Sequence, residues 1–247
     1  KVVLEDVSCT MEGGKVNLII GSSGSGKTVF MKCLVGLVEP DQGRIRYEGQ
    51  DFVSMADKDR KELRTQIGML FQGSALFDSL TVEQNVMFPL DMFTKQKFSD
   101  KRKRVNEVLE HVNLIDTNLK YPAELSGGMK KRVALARAIV LNPKYLFCDE
   151  PNSGLDPQTS LVIDQLIMDI TREYKITTVI NTHDMNTVME SGDHIVYLYK
   201  GKKQWEGSNQ DIIFSADQYL NDFIFASSFL KDAKTMRVMM AKQAGHK

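Results

Sequence analysis

The sequence predicts an α/β domain built on a mostly parallel β-sheet. Five short runs are rich in Val, Ile and Leu, and helix-length stretches lie between several of them. Continuous apolar runs are typical of strands buried on both faces, and their alternation with helices indicates β–α–β units. The predicted strands are Val16–Ile20, Ile67–Phe71, Tyr145–Cys148, Ile176–Ile180 and Ile195–Tyr199. The predicted helices are Lys27–Val38, Ser99–Val112, Gly128–Leu141 and Pro157–Tyr174.

Two regions depart from this alternation. Arg44–Tyr47 and a hairpin turn at Lys200-Gly201 predict antiparallel β-structure. Residues 73–137 contain no good strand and are rich in helix formers and charge, which predicts a helical subdomain inserted into the α/β core. We therefore divide the chain into one domain over residues 1–230 and a basic tail over residues 231–247. A frayed, solvated tail is the default expectation; a helix that binds a partner or a membrane surface is the alternative.

The composition excludes several classes of protein. Lys+Arg and Asp+Glu number 32 each, so we expect no broad basic surface and no nucleic-acid partner. Cys9, Cys33 and Cys148 are scattered, which fits a reducing compartment and neither a disulfide framework nor a zinc site. No apolar run approaches the roughly 18 residues of a membrane span, and no signal-peptide pattern is present. We expect a soluble, cytoplasmic protein that reaches a membrane through a partner.

A phosphate-binding loop follows the first predicted strand and precedes a predicted helix, which is the context this motif requires. Its glycines let successive backbone N–H groups wrap around a phosphate chain, and the helix adds its positive end. Lys27 would reach the β- and γ-phosphates, and the Thr28 hydroxyl would bind Mg²⁺. The motif predicts nucleotide binding without naming a family, since GTPases, kinases and motor proteins share it. The loop comprises Gly21, Ser22, Ser23, Gly24, Ser25, Gly26, Lys27 and Thr28.

Two carboxylates end the predicted strand Tyr145–Cys148. A buried strand would not end in unpaired acids without a reason, because burying a charge is costly. Beside a phosphate loop, Asp149 can hold Mg²⁺ through water, and Glu150 can polarise an attacking water as a general base. The alternative interpretation is that Glu150 caps the helix that follows.

A third motif, Leu125–Met129, begins a helix rich in Lys, Arg and Ala. Ser126, Gly127 and Gly128 would supply a hydroxyl, exposed amides and a helix dipole to an anion, although a plain capped helix start has the same appearance. With the other motifs, the chain resembles the ATPase subunit of an ATP-binding cassette (ABC) transporter over essentially its whole length. The matching pieces, in family order, are the loop at 21–28, Gln72, Leu125–Met129, Asp149-Glu150, Ser153–Asp156 and His183.

The resemblance implies a P-loop NTPase core, with ATP and Mg²⁺ as the bound species, and a role for each matching residue. Gln72 would sense Mg²⁺ and water and link the site to the helical subdomain. His183 would contact the γ-phosphate, unless it is simply a satisfied loop histidine. Ser126, with the two glycines after it, would bind the ATP held by a second copy of the chain, and Asp156 would lie at the seam of that dimer.

One part of the family pattern lies outside the sequence. The family places an adenine-stacking aromatic residue about two dozen positions before the phosphate loop, whereas the sequence starts at Lys1, inside the first strand-like segment. We expect N-terminal residues to be missing, so the preference for ATP over GTP rests on the resemblance. The fifth signature position is Met129, where Gln is commonest, and we expect activity to survive this change.

Met129 also narrows the subfamily. Residues 126–139 and 71–77 resemble the ATPases of maintenance-of-lipid-asymmetry (Mla) transporters, which work with a permease and a lipid-binding protein of the mammalian-cell-entry (Mce) class. This implies phospholipid transport, at the cytoplasmic face of the inner membrane. The apolar, Met-rich segment 73–93 is either internal core or a groove for a helix of the permease.

Other functions remain open from the sequence. An ABC ATPase could energise the transport of another substrate, or act on nucleic acid or ribosomes; the second option is disfavoured because the chain has neither a long coiled coil nor a second cassette. A nucleotide-gated binding module without turnover is disfavoured by the presence of Glu150, Gln72 and His183. Neither the substrate nor the direction of transport follows from the sequence.

Overall fold

The structure is a computed structural model that describes residues 2–226 and 228–243. Six strands form the main sheet in the order β4-β5-β6-β1-β7-β8, with only the last pair antiparallel. β2 and β3 form a separate antiparallel pair. The strands are β1 Val16–Ile20, β2 Arg46–Tyr47, β3 Gln50–Asp51, β4 Ile67–Leu70, β5 Tyr145–Asp149, β6 Thr177–Thr182, β7 His194–Tyr199 and β8 Lys202–Gly207. This confirms the predicted mostly parallel α/β fold.

Helices cover both faces of the main sheet. They are α1 Lys27–Leu34, α2 Asp57–Thr65, α3 Val82–Phe93, α4 Phe98–His111, α5 Gly127–Ile139, α6 Pro157–Tyr174, α7 Met185–Ser191, α8 Asn209–Phe214, α9 Gln218–Ile224 and α10 Ser228–Gln243. In the described ranges, none of these helices combines the length and the apolar character of a membrane span.

The core is split by the sheet because side chains alternate between its two faces. Leu18 and Ile20 of β1 belong to a cluster with α3–α6, whereas Ile19 faces a second cluster with α1, α2 and the β2–β3 pair. Every residue of β1 is buried, as its largely apolar sequence predicts. The strand that carries the phosphate loop is therefore fixed from both sides.

The helical subdomain contains α3, α4 and α5, and no strand occurs in the described residues 73–137. Thr81 caps α3 in a reciprocal capping box with Gln84. The fully buried Asn85 accepts from the Phe77 N–H at 2.8 Å and donates to three carbonyls, including that of Phe77 at 3.1 Å. This one amide fixes the loop that joins β4 to α3.

α5 packs directly on β4. At Gly68, an added Cβ would lie 2.3 Å from the Ala138 carbonyl oxygen, so a side chain cannot be placed there without moving the helix. The close approach brings α5, which begins at Gly127, against the strand that leads to Gln72.

Several predicted boundaries are corrected. α1 ends at Leu34 rather than Val38, because the Gly36 and Leu37 amides turn back to the Cys33 and Lys32 carbonyls. The first residues do not form the expected strand. Within the described residues 2–12, a single hydrogen bond joins backbone to backbone, from the Glu5 N–H to the Gly201 carbonyl at 2.8 Å. One such bond does not make a strand ladder.

Residues 231–243 continue α10, so this part of the tail is helical rather than frayed. The Lys234 ammonium donates to Asn221 Oδ1 and to the Ser215 carbonyl, and lies 4.8 Å from the centre of the Phe225 ring. Residues 244–247 lie outside the described part of the chain.

Candidate functional site

The phosphate loop joins β1 to α1 as predicted, and the path of its backbone depends on glycine. Gly21 has a φ of 153°, and an added Cβ would lie 2.4 Å from the Leu198 carbonyl oxygen and 2.5 Å from Ser25 Oγ. Ser25 Oγ is buried and has no hydrogen-bond partner in the structure. The loop is thus packed too tightly against β7 for any side chain at its first position.

Lys27 extends back across this loop. Its ammonium donates to the Gly21 carbonyl at 2.8 Å and to the Ser22 carbonyl at 3.2 Å, and the residue is only 8% exposed. Burial lowers the pKa of Lys27, while the nearby charges of Glu150 and Asp149 act in the opposite direction. Since both hydrogen-bond acceptors are neutral, the ammonium has no ion pair within the loop and can bind an anionic phosphate there.

Asp149 lies beside the loop, at the end of β5. Its Oδ1 accepts from Thr28 Oγ1 at 3.5 Å and from Asn181 Nδ2 at 3.0 Å. Hydroxyl and carboxylate oxygens are the ligands that Mg²⁺ prefers, with water and phosphate oxygens completing an octahedron. Across residues 2–226 and 228–243, no cluster of three His, Cys, Asp or Glu side chains could hold a metal ion by itself. The oxygen set at Thr28 and Asp149 fits a magnesium ion that arrives with a nucleotide.

Glu150 and His183 form a direct pair. His183 Nδ1 lies 2.6 Å from Glu150 Oε2, and because a carboxylate only accepts, the imidazole nitrogen donates. The Glu150 side chain is 14% exposed and that of His183 is 66% exposed. Glu150 also has a φ of 49°, a conformation that non-glycine residues adopt at a cost and that is concentrated at functional sites. The pair thus presents an exposed imidazole held by a largely buried carboxylate.

Glu150 does not cap the helix that follows it. The N-cap of α6 is Asp156, whose Oδ1 accepts from the Thr159 N–H at 2.9 Å. Thr159 also packs against Gly128, where an added Cβ would lie 2.6 Å from Thr159 Cγ2. The start of α5 and the start of α6 therefore lie side by side.

Gln72 lies farther from the other predicted ligands. Its Nε2 donates to Ser153 Oγ at 3.2 Å, and no hydrogen bond in the described ranges joins it to Thr28 or Asp149. Ser126 is the N-cap of α5, where its Oγ accepts from the Met129 N–H at 3.3 Å. Ser126 and Gly127 are exposed, and within one copy no hydrogen bond of the described part joins them to the phosphate loop.

Sequence reasoning missed two polar side chains that support the site. Asn181 interrupts the apolar run of β6 and is fully buried against Asp149. Lys131 lies among buried residues of α5 and is 4% exposed. In both cases a polar residue within an apolar pattern was the available signal, since such groups are buried only when they have partners.

Comparison with known proteins identifies the family. Residues 4–153 match the family model described as ABC transporter. The chain belongs to the ABC transporter family. As an ABC transporter ATPase, it binds and hydrolyses ATP and energises transport. The mostly parallel sheet with its separate antiparallel pair is the fold of an ABC ATPase cassette.

Named relatives are transport ATPases with different cargoes. The chain is 38% identical to the probable ribonucleotide transport ATP-binding protein mkl of Mycobacterium leprae, over 99% of this chain and 73% of the relative. It is 41% identical to the methionine import ATP-binding protein MetN of Carboxydothermus hydrogenoformans, over 86% of this chain and 63% of that relative.

Solved structures agree with the fold. A bacterial ABC transporter cassette described as dimeric is 31% identical, has a TM-score of 0.77, and is matched over 84% of this chain and 90% of its own. The cbiO1 protein of Clostridium perfringens, described as part of an ABC transporter complex, is 28% identical with a TM-score of 0.80, over 95% and 92% of the two chains.

Proposed function

We propose that Glu150 is the general base of this ATPase and that His183 orients it. The observation that carries the proposal is the 2.6 Å contact between His183 Nδ1 and Glu150 Oε2 at the end of β5, next to Asp149 and the phosphate loop. The largely buried carboxylate accepts a proton from the attacking water. The exposed imidazole, already bonded through Nδ1, has Nε2 free to approach the γ-phosphate.

The other predicted residues bind the nucleotide. The amides of the loop over 21–28 surround the phosphates, and the ammonium of Lys27 neutralises them. Thr28 would hold Mg²⁺, with Asp149 acting through water and Gln72 contributing from its loop, and the ion would offset the negative charge of the phosphates. We also propose that the domain extends over residues 1–230, with the helical subdomain at about 73–137.

Hydrolysis requires a second copy of the chain. Ser126 and Gly127 lie exposed at the start of α5 and make no hydrogen bond to their own phosphate loop in the described residues. A helix N-terminus whose first amides and whose hydroxyl hydrogen are available to donate suits the γ-phosphate of ATP bound to another copy. Gly128 and Asp156 lie next to this surface, and Asp156 would form part of the seam.

The test is Glu150→Gln, with Glu190→Gln on α7 as the matched control because that side chain is exposed and makes no ion pair in the described structure. We expect Glu150→Gln to bind ATP, to lose about two to three orders of magnitude in turnover, and to accumulate as an ATP-bound dimer. Phosphate release and size-exclusion chromatography with ATP measure both effects. Near-normal turnover of Glu150→Gln would remove Glu150 from the mechanism.

A membrane permease is the partner that the helical subdomain would engage. Segment 73–93 contains two sets of apolar side chains. One set is buried in the core and comprises Val82, Val86, Met87 and Leu90, whereas four other large apolar side chains are exposed. These exposed side chains are Phe77, Phe88, Met92 and Phe93. The three phenylalanines line a groove that Arg64 and Arg137 also line, and the Phe77 and Phe88 rings lie 4.8 Å apart. Such a groove suits a short amphipathic helix.

Phe93→Asp should abolish co-purification with the permease while leaving ATP binding intact, with Phe214→Asp on α8 as an equally exposed control. Acidic residues of α3 are poorer probes. Glu83 accepts from Arg102 and Asn118, and Asp91 pairs with Lys101, so substitutions there would disturb the packing of α3 on α4.

For the cargo we propose phospholipid, moved between bacterial membranes by a complex that includes an Mce-type lipid-binding protein, with this subunit at the cytoplasmic face of the inner membrane. The support is the resemblance of residues 126–139 and 71–77 to Mla-type ATPases. The alternatives are the cargoes that the relatives' names give, ribonucleotides and methionine. Affinity purification of the tagged complex, followed by lipid extraction and mass spectrometry, separates them, because stoichiometric lipid is expected only for the first.

A further inference from the structure

Lys131 is a buried cation whose bonds reach two other parts of the site. It lies on α5 and is only 4% exposed, although an ammonium group is buried at a cost unless its hydrogens find acceptors. Its Nζ donates to the carbonyl oxygen of Gln72 and, at 3.4 Å, to that of Glu150. One side chain is therefore bonded to the backbone of two of the residues to which catalytic roles are assigned, Gln72 and Glu150.

Burial works against the charge of Lys131. It lowers the pKa of Lys131, and the nearby carboxylates of Asp149 and Glu150 oppose that effect. No salt bridge to Lys131 occurs in residues 2–226 and 228–243, and its acceptors are neutral carbonyls. The bonds thus fix the position of main chain rather than neutralise a neighbouring acid.

A second cation of the same helix holds the rest of the Gln72 loop. Arg137 donates to the Ser74 carbonyl at 2.8 Å and to the Ala75 carbonyl at 2.7 Å. Ser74 and Ala75 have φ values of 61° and 49°, so this turn is held in a conformation that such residues seldom adopt. The loop after β4 is therefore attached to α5 at Gln72 by Lys131 and at residues 74–75 by Arg137.

α5 also begins at the surface assigned to the second copy. Lys131 lies five residues after Ser126, about 7.5 Å along the helix axis. A shift of α5 when Ser126 engages the partner's ATP would pull on the carbonyls of Gln72 and Glu150 through Lys131. The Glu150 turn is fixed on its other side to β6, where the Glu150 N–H donates to the Asn181 carbonyl at 3.0 Å.

We propose that Lys131 is a positioning residue that couples engagement of Ser126 to the placement of Gln72 and Glu150 in the same chain. The proposal rests on the roles assigned to those residues under the proposed function. Lys131 should leave ATP binding unaffected because it does not touch the bound nucleotide. It should affect turnover, which depends on the geometry that Lys131 fixes. A merely structural lysine would affect stability and leave the turnover of the folded protein unchanged.

The test compares Lys131→Met, Lys131→Arg and Lys131→Gln with Lys130→Met. Lys130 is a neighbouring lysine of α5 whose side chain makes no hydrogen bond or ion pair in the described residues. We expect Lys131→Met to lower kcat about ten- to hundredfold because the loop and the turn lose their common anchor. The Kd for Mg-ATP should stay within about twofold of wild type, since the phosphate loop is unchanged. Lys131→Arg keeps donors for both carbonyls and should be at least about fivefold faster than Lys131→Met.

The outcomes are separable. Wild-type kcat in folded Lys131→Met, or an Arg variant as slow as the Met variant, overturns the proposal. If Lys131→Met does not fold, Lys131→Gln takes its place under the same criteria, with thermal unfolding recorded for every variant. Absence of ATP hydrolysis by the wild-type dimer would instead overturn the proposed function. If Lys130→Met lowers kcat as much as Lys131→Met does, the effect is not specific to Lys131 and the proposal fails.

Discussion

A buried polar triad directly after Glu150 fixes the turn that carries this residue. Asn152 Nδ2 donates to Asp164 Oδ1 at 2.8 Å, and Thr187 Oγ1 donates to Asp164 Oδ2 at 2.6 Å. The three side chains come from the turn, from α6 and from α7, so one carboxylate ties three segments together. Burial raises the pKa of Asp164, which shows that its charge is costly in spite of these hydrogen bonds.

Asp164 should make the stability of the protein depend on pH. The folded-state pKa lies above the ordinary value of 3.8, so the proton is bound more tightly in the folded state. The contribution of Asp164 to stability is therefore fully present below about pH 4 and is lost as pH rises through the folded-state pKa. Asp164→Asn removes the titrating group. The free energy of unfolding of this variant should therefore rise relative to that of wild type between about pH 4 and pH 7. Urea unfolding at several pH values measures this difference, and parallel profiles would refute the role of Asp164.

Asn181 should matter for Mg²⁺ because it donates to the Asp149 oxygen that also accepts from Thr28. A hydrogen bond to a carboxylate contributes about 1.5–3 kcal/mol, so Asn181→Ala should weaken magnesium-dependent turnover by about ten- to a hundredfold. A magnesium titration of ATP hydrolysis measures the loss. Asn186→Ala, at an exposed position of α7, is the control. Equal magnesium dependence in the two variants would show that Asn181 does not orient Asp149.

At the scale of elements, the contact between β4 and α5 sets the distance between the sheet and the helical subdomain. Gly68 makes this contact possible, since its neighbour across the interface is the Ala138 carbonyl and not a side chain that could turn away. The loop that ends in α3 starts at the end of β4, so any change in this spacing is passed on to Gln72.

Gly68→Ala should therefore destabilise the protein by about 1–3 kcal/mol, because the added methyl group must displace backbone. Gly73→Ala is the matched control; no atom lies within 4 Å of its added Cβ, so we expect a change within about 0.5 kcal/mol. Chemical denaturation of the two variants measures the difference. Similar midpoints would mean that α5 can move away from β4 without cost.

Elements with strong local signals were predictable from the sequence, and those that depend on distant partners were not. β1 and α6 have the predicted bounds because the first is apolar except for Asn17 and the second begins with Pro and a capping Asp156. α2 was missed, since its surface is charged and only Leu63 is buried. Lys131 and Asn181 could not be assigned partners, because their acceptors lie 59 and 32 residues away in the chain.

At the scale of the whole molecule, the predicted residues meet at one edge of the sheet. β4, β5, β6 and β1 are neighbours in space, and their carboxyl ends lead to Gln72, Asp149-Glu150, His183 and the phosphate loop. Ligand sites in open α/β sheets lie at that edge. Ser126 starts a helix of the inserted subdomain instead, which is why we propose that a second copy brings it to the nucleotide.

Two inactive variants should complement each other when mixed. Lys27→Ala and Ser126→Arg homodimers each lack one half of both sites, whereas a mixed dimer carries both defects in one site and leaves the other intact. Random pairing should restore about a quarter of wild-type hydrolysis if the two sites act independently. Phosphate release from an equimolar mixture, compared with each variant alone, measures this. Failure of the mixture to exceed the two separate activities would contradict sharing of the site between copies.

The opposite edge of the sheet provides an exposed position for attaching probes. Gly13 is exposed in the turn before β1, and the five residues of β1 separate it by about 16 Å from the phosphate loop. Cys33 and Cys148 are buried, and burial raises the pKa of Cys9 to about 11, so the native thiols react slowly near neutral pH. Gly13→Cys would thus accept a single fluorophore or surface linker, and the ATP-driven pairing of two copies could be followed by energy transfer while the catalytic edge stays untouched.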